Sequence, residues 1–156
     1  MWSLDIPGWK KLEIRFLVFD YNGTLAVDGK LLPELGEKLK QLSGIFEIHV
    51  VTADTFGKAA VELKGLPCKL KILPKENQAE AKREYVAALG AASVAAIGNG
   101  RNDRLMLETA ALGIALIQAE GAAVATVNNA DVVCTHATDA FDLFLHPKRL
   151  TATLRG

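Results

Sequence analysis

Short apolar runs alternate along the chain with longer segments in which leucine or alanine recurs every three or four positions. Residues 14–19 (IRFLVF), 45–51 (IFEIHVV), 93–97 (SVAAI), 113–117 (GIALI) and 131–134 read as strands, being short, apolar and bounded by polar or small residues. Residues 68–73 (CKLKIL) read as a further strand, half polar and therefore placed at a sheet edge. Between them, Leu32, Leu35, Leu39 and Leu42 repeat at helical spacing, with Pro33 near the helix start. Helices are also expected over 55–64, ended by Gly65 and Pro67, and over 76–89, ended by Gly90. In the second of these, Ala81, Tyr85 and Ala88 share one face. Residues 102–112 and 121–127, and a last segment with Phe141, Leu143, Phe144 and Leu145, complete the helical set. Strands alternating with helices predict an α/β domain with a mostly parallel sheet, and near-continuous apolar strands predict cover on both faces. One domain over 1–156 is expected, with its core at about 12–146 and a basic, frayed tail at 147–156.

Composition narrows the function classes. Of 156 residues, half are hydrophobic and 23% are charged, which excludes a disordered chain. Lys plus Arg equals Asp plus Glu at 18 each, so no overall charge draws the chain to nucleic acid or to an anionic membrane. Cys68 and Cys134 form no disulfide framework and no zinc pattern, and read as free thiols in a reducing compartment. The opening MWSLDIPGWKKLEIRF lacks the apolar stretch of a secretory signal, and no run is long enough to span a membrane. A cytoplasmic location is expected. Trp2 and Trp9 sit in a segment read as loose, where they would cover the core. His49, His136 and His146 are scattered and carry no assigned chemistry.

In a parallel sheet, ligands bind beyond the carboxyl ends of the strands. Four polar clusters fall there: Asp20-Tyr21-Asn22-Gly23-Thr24, Thr52-Ala53-Asp54, Pro74-Lys75, and Gly98-Asn99-Gly100-Arg101-Asn102-Asp103. Carboxylates, a hydroxyl and a lysine gathered at one edge suit a phosphate and a hard cation such as Mg²⁺. These clusters resemble, in order, the four motifs of the haloacid dehalogenase superfamily of aspartate-nucleophile phosphotransferases. FDYNGTLA is similar to the first, VVTAD to the second, Lys75 to the third and GNGRND to the fourth. VVTAD and GNGRND are most similar to the phosphorylation domain of P-type ATPases and its small soluble relatives. The resemblance spans residues 14–134 and implies a Rossmann-like three-layer α/β/α sandwich. Neither the segment between Thr24 and Thr52 nor that between Thr52 and Lys75 has room for a cap domain.

The resemblance also implies roles. Asp20 is the nucleophile that forms an aspartyl-phosphate. Gly23 and Thr24 shape the turn and offer backbone N–H groups to phosphoryl oxygens. Thr52, Ala53, Lys75 and Asn102 complete the phosphate site, with Lys75 neutralising charge. Asp20, Asn22, Asn99 and Asp103 hold Mg²⁺. Read without the resemblance, Thr52 and Asp54 equally suit helix caps, and Asp103 suits the first turn of a helix. Arg101 and Arg104 read as solvent-facing.

Two acidic positions of the pattern are amides, Asn22 and Asn99. The first would be the acid–base of a phosphatase, and an amide cannot shuttle a proton. Slow hydrolysis and weak Mg²⁺ affinity are therefore expected. Three readings stand: a phosphatase of low turnover, a regulatory module that binds phosphate and Mg²⁺, and a dehalogenase-type hydrolase, which the missing cap opposes. The expected partner is a small phosphorylated substrate or a phosphorylated macromolecule. An open site also suits a homo-oligomer. Neither nucleic acid nor membrane is an expected partner.

Overall fold

The computed structural model describes residues 1–54 and 57–156. The expected helix over 55–64 begins at positions outside the described residues. Its described part is α2, Lys58–Glu62.

A six-stranded parallel sheet forms the centre. Its strands are β3 (Phe16–Asp20), β6 (Glu47–Thr52), β7 (Lys69–Ile72), β8 (Val94–Gly98), β9 (Leu112–Leu116) and β10 (Val132–Cys134). Their order across the sheet is β10-β9-β8-β3-β6-β7. Neighbours pair in parallel throughout, with Leu17 beside Ile48 and Ala95. The chain winds from β3 outward to β7, then crosses back to β8 and continues to β10. The switch in direction falls between β3 and β8, and there the crevice beyond the strand ends opens.

Side-chain alternation divides the core in two. On one face Leu17, Phe19, Ile48, Val50, Ile97 and Ile114 pack with α1 (Leu35–Ser43) and α6 (Ala137–Leu145). On the other, Val18, Val51, Ala96 and Ala115 pack with α3 (Gln78–Leu89) and α4 (Arg104–Thr109). The architecture is the expected three-layer α/β/α sandwich. Strand β7 lies at the edge, as its half-polar sequence predicts. Gly113 on β9 is required by packing, since an added Cβ would meet the Leu107 carbonyl oxygen of α4 at 2.5 Å.

Three regions depart from the expectation. The N-terminal segment is not loose: β1 (Trp2–Asp5) and β2 (Lys11–Ile14) form an antiparallel hairpin. Trp2 donates its indole N–H to the Phe144 carbonyl at 3.2 Å, and its ring lies 5.7 Å from Phe46. Residues 14–19 are accordingly not one strand: Ile14 closes β2, and β3 starts at Phe16. A second hairpin, β4 (Ala26–Val27) with β5 (Lys30–Leu31), follows β3. Its turn residues Asp28 and Gly29 both have positive φ, the geometry that Asp-Gly favours.

The third departure is the tail. Residues expected to fray form α7 (Pro147–Leu154), with Pro147 at the helix start. Leu150 is fully buried, and the Gly156 N–H reaches the Pro7 carbonyl at 3.0 Å. The basic residues hid this buried leucine. We expect Leu150→Ala to cost about 2–5 kcal/mol, the usual range for emptying a buried leucine site. Urea unfolding would show it as a lower midpoint, whereas a frayed tail would leave the midpoint unmoved.

Candidate active site

Asp20 ends β3 with 6% of its surface exposed, at the floor of a cleft of about 640 Å³. The chain turns sharply after it. The Tyr21 carbonyl accepts from Thr24, Leu25 and Ala26, and the Gly23 N–H donates to the Ala26 carbonyl at 2.8 Å. Gly23 has φ +80°, and a Cβ there would collide with the Asn99 amide. The turn corrects one expectation. The N–H groups of Gly23 and Thr24 are consumed inside it and do not face the cleft. The Thr24 side chain is buried, and its hydroxyl donates to Asn99 Oδ1 at 3.1 Å. These two residues build the turn from behind, while Asn22 is exposed and lines the cleft.

Thr52 and Ala53, at the end of β6, line the cleft beside Asp20. The Asp54 carboxylate accepts from the N–H groups of Ala59 and Ala60 at 2.8 and 3.2 Å, so it caps α2. Asn99 and Asn102 line the same cleft. Asn99 is held by Thr24 and by its own donation to the Gly121 carbonyl at 3.1 Å. Asn102 donates to Gln78 Oε1 at 2.8 Å. The rim carries Asp28, Lys58 and Glu120.

The lysine expectation is corrected. Lys75 is exposed on the loop after β7 and does not line the cleft. In its stead, α3 carries Lys82, which is fully buried. Its Nζ lies 2.7 Å from Asp20 Oδ1 and 2.7 Å from Asp103 Oδ1. The cause is topological. Strand β7 is the edge strand, so the loop leaving it starts two strands away from Asp20, and α3 must return over the sheet to reach β8. The buried face of α3 is Ala79, Lys82 and Val86, one step off the predicted face, and Ala88 is exposed. A lysine in phase with Ala79 and Val86 was the available signal.

Asp103 also differs from expectation. It is fully buried, its Oδ1 faces Lys82, and its Oδ2 accepts from the N–H groups of Asn99 and Gly100 at 3.1 and 2.9 Å. Gly98 makes room for it, since a Cβ there would stand 2.6 Å from the carboxyl carbon. Its oxygens are thus turned to protein donors and away from the cleft. The oxygen donors left for a hard cation are the Asp20 carboxylate and Asn22, since Asn99 Oδ1 already accepts from Thr24 and the Asn99 carbonyl from the Ala123 N–H. Among the described residues no group of three or more His, Cys, Asp or Glu is placed to hold a metal ion. One carboxylate with an amide oxygen fits a cation that keeps most of its water.

The charges are strongly coupled. Burial first, and then the Asp103 charge, push the Asp20 carboxyl up to about 7, against the pull of Lys82. Burial would also drive the Lys82 ammonium toward neutrality, but Asp20 and Asp103 outweigh it and hold its pKa above the ordinary lysine value. The cluster can hold a nucleophilic carboxylate, bury its countercharge and leave one face open to an anion.

No family model matches the chain. Over 87 residues it is 40% identical to the uncharacterized protein MJ0073 of Methanocaldococcus jannaschii, covering 56% of this chain and 84% of that protein. The chain belongs to the MJ0073 family. Solved structures of haloacid dehalogenase superfamily hydrolases share the fold of this MJ0073-family chain. A superfamily hydrolase of subfamily III A from Legionella pneumophila aligns with TM-score 0.71 and 17% identity, over 90% of this chain and 87% of that one. The 3-deoxy-D-manno-octulosonate 8-phosphate phosphatase of Moraxella catarrhalis, solved with magnesium, phosphate and KDO, aligns equally at 0.71 and 17%, over 91% and 94%. The cobalt-bound phosphatase of Haemophilus influenzae gives 0.71 and 17%, over 92% and 94%. The fold of this family member is therefore the Rossmann-like fold of these phosphatases.

We expect Lys82→Met to destabilise the protein by about 3–5 kcal/mol, because it leaves two carboxylates facing each other without their cation. Lys75→Ala should stay within about 0.5 kcal/mol of wild type. Chemical denaturation of both variants checks the pair. A separate pH effect arises at His49, buried between the Tyr85 hydroxyl at 2.6 Å and Glu47 at 2.9 Å. Burial lowers its pKa below the ordinary histidine value, so near about pH 6.5 the unfolded chain takes up the proton first. This contribution to stability is therefore complete above that pH and is lost as pH falls below it. Denaturation midpoints at pH 7.5 and 5.5 should converge in His49→Gln relative to wild type.

Proposed function

We propose that the chain is a divalent-metal-dependent phosphohydrolase or phosphotransferase that works through a phosphorylated Asp20. The observation that carries this reading is the Asp20–Lys82–Asp103 cluster at the floor of an open cleft beyond the strand ends. Lys82 fixes one oxygen of Asp20 and favours its ionised form against the opposing effects of burial and Asp103. The other oxygen attacks phosphorus, forming an acyl phosphate as the ester oxygen departs with its electron pair and takes a proton from solvent. Water then attacks phosphorus, releasing inorganic phosphate and restoring Asp20. Thr52, Ala53 and Asn102 line the wall where the phosphoryl oxygens would sit.

The like-folded enzymes with magnesium and phosphate, and with cobalt, support a divalent cation here. Mg²⁺ held by Asp20 with an oxygen of Asn22 would supply charge neutralisation on the phosphoryl group. With one carboxylate ligand the affinity should be low, and with Asn22 in the cleft the turnover should be slow. The similarity of VVTAD and GNGRND to P-type ATPase motifs fits a long-lived acyl phosphate. The free thiols Cys68 and Cys134 suit a reducing cytoplasm, and no helix among the described residues is long and apolar enough to cross a membrane. The substrate is a phosphate ester, small or borne by a macromolecule, and a second copy of the chain would shield the open cleft. The amides Asn22 and Asn99 favour a second reading, a phosphate-binding regulatory module without useful turnover.

Phosphate release from p-nitrophenyl phosphate with Mg²⁺ separates the two. We expect Asp20→Asn to abolish it. Asn22→Asp should raise it by up to about 10²–10⁴-fold, the usual worth of a placed acid–base. No turnover in wild type or Asn22→Asp would favour the regulatory module.

A further inference from the structure

The loop after β9 belongs to none of the four motifs, yet it reaches the turn behind the nucleophile. Gln118 stands in it, half-buried. Its amide nitrogen donates to the carbonyl of Gly23 at 3.1 Å and to that of Thr24 at 3.0 Å. Its amide oxygen accepts from the Ala137 N–H at 2.8 Å. An amide has two N–H bonds, so each carbonyl receives one. A single side chain thus fastens two consecutive peptides of the turn to the first residue of α6.

That turn needs fastening. Gly23, at φ +80°, has no Cβ to resist rotation of its neighbouring peptides. Its N–H and that of Thr24 are already bonded within the turn. The two carbonyls are the poles left over, and Gln118 holds both. Released, either oxygen would be a negative pole able to swing toward Asn22 and the cleft. An anionic phosphoryl group has to sit there, and a site whose dipoles must reorganise loses most of its electrostatic advantage.

We propose that Gln118 is a positioning residue for Asp20, keeping the post-nucleophile turn in the one conformation that admits a phosphoryl group. The proposal rests on the phosphohydrolase reading. Gln118 touches neither the substrate nor the reacting atoms, so its effect should fall on kcat and not on KM.

Two variants test it. Gln118→Glu keeps an acceptor for the Ala137 N–H and replaces the double donor with an oxygen facing two carbonyls. Gln118→Leu removes both functions. With p-nitrophenyl phosphate and saturating Mg²⁺, we expect both to lower kcat by about tenfold to a hundredfold, the scale of small misplacements. KM should stay within about threefold, with both variants assayed at temperatures where they are fully folded. An unchanged kcat, or a loss that returns in full at temperatures where the variants are fully folded, would overturn the proposal and leave the phosphohydrolase reading standing. If wild type shows no turnover, that reading fails, and beryllofluoride with Mg²⁺ serves as a probe of the turn without chemistry. Binding weakened about tenfold in Gln118→Glu supports the clamp; equal binding, or none to wild type, overturns it.

Discussion

A lysine ammonium shared by two buried carboxylates is the constraint around which this molecule is arranged. Asp20 and Asp103 stand at the ends of different chain segments, and Lys82 between them is the cation that offsets their burial. The ion cluster therefore requires β3, the turn of 101–103 and α3 to be in register at once. Every nearby device serves that registration: Gly98 yields space for Asp103, backbone N–H groups fix its far oxygen, and Asn102 braces Gln78 at the start of α3. The candidate site is thus a fixed part of the core more than an addition to it.

Much of this was legible in the residues. The central strands are covered on both faces and so are written as unbroken apolar runs, which makes their number and order of appearance plain. The strand-end position of Asp20, Thr52 and Asn99 followed directly, and the structure brings them to one cleft. The hairpin β1–β2 was harder. Its alternation runs over only four residues in each strand, and Arg15 joins it to β3 without a break in hydrophobicity. The Asp-Gly turn of β4–β5 carried a usable signal, flanked by strands of two residues that periodicity cannot register.

Lys82 was only faintly marked, for a different reason. In an alanine-rich helix the two faces differ little in hydrophobicity, so the phase of α3 could be set one residue wrong, and a lysine in a charged segment reads as solvated. Only the fold shows that this position points inward at a pair of carboxylates. The inward bonding of Gly23 and Thr24 was likewise unreadable, since residue types alone do not say which way a peptide plane turns. The spacing of the carboxylates along the sequence also gave no hint that Asp103 would face the lysine and the backbone in preference to the cleft.

Because the cation rides on α3, the connection of residues 73–77 between β7 and that helix is left without chemical duty. It is exposed at the sheet edge apart from Leu73, and it starts on the strand farthest along that side of the sheet. Length there is nearly neutral, since closing a longer surface loop costs little and disturbs no charge. The protein thus has a natural insertion point near its cleft. A lineage could graft a further module at this junction without rebuilding the Asp20–Lys82–Asp103 cluster.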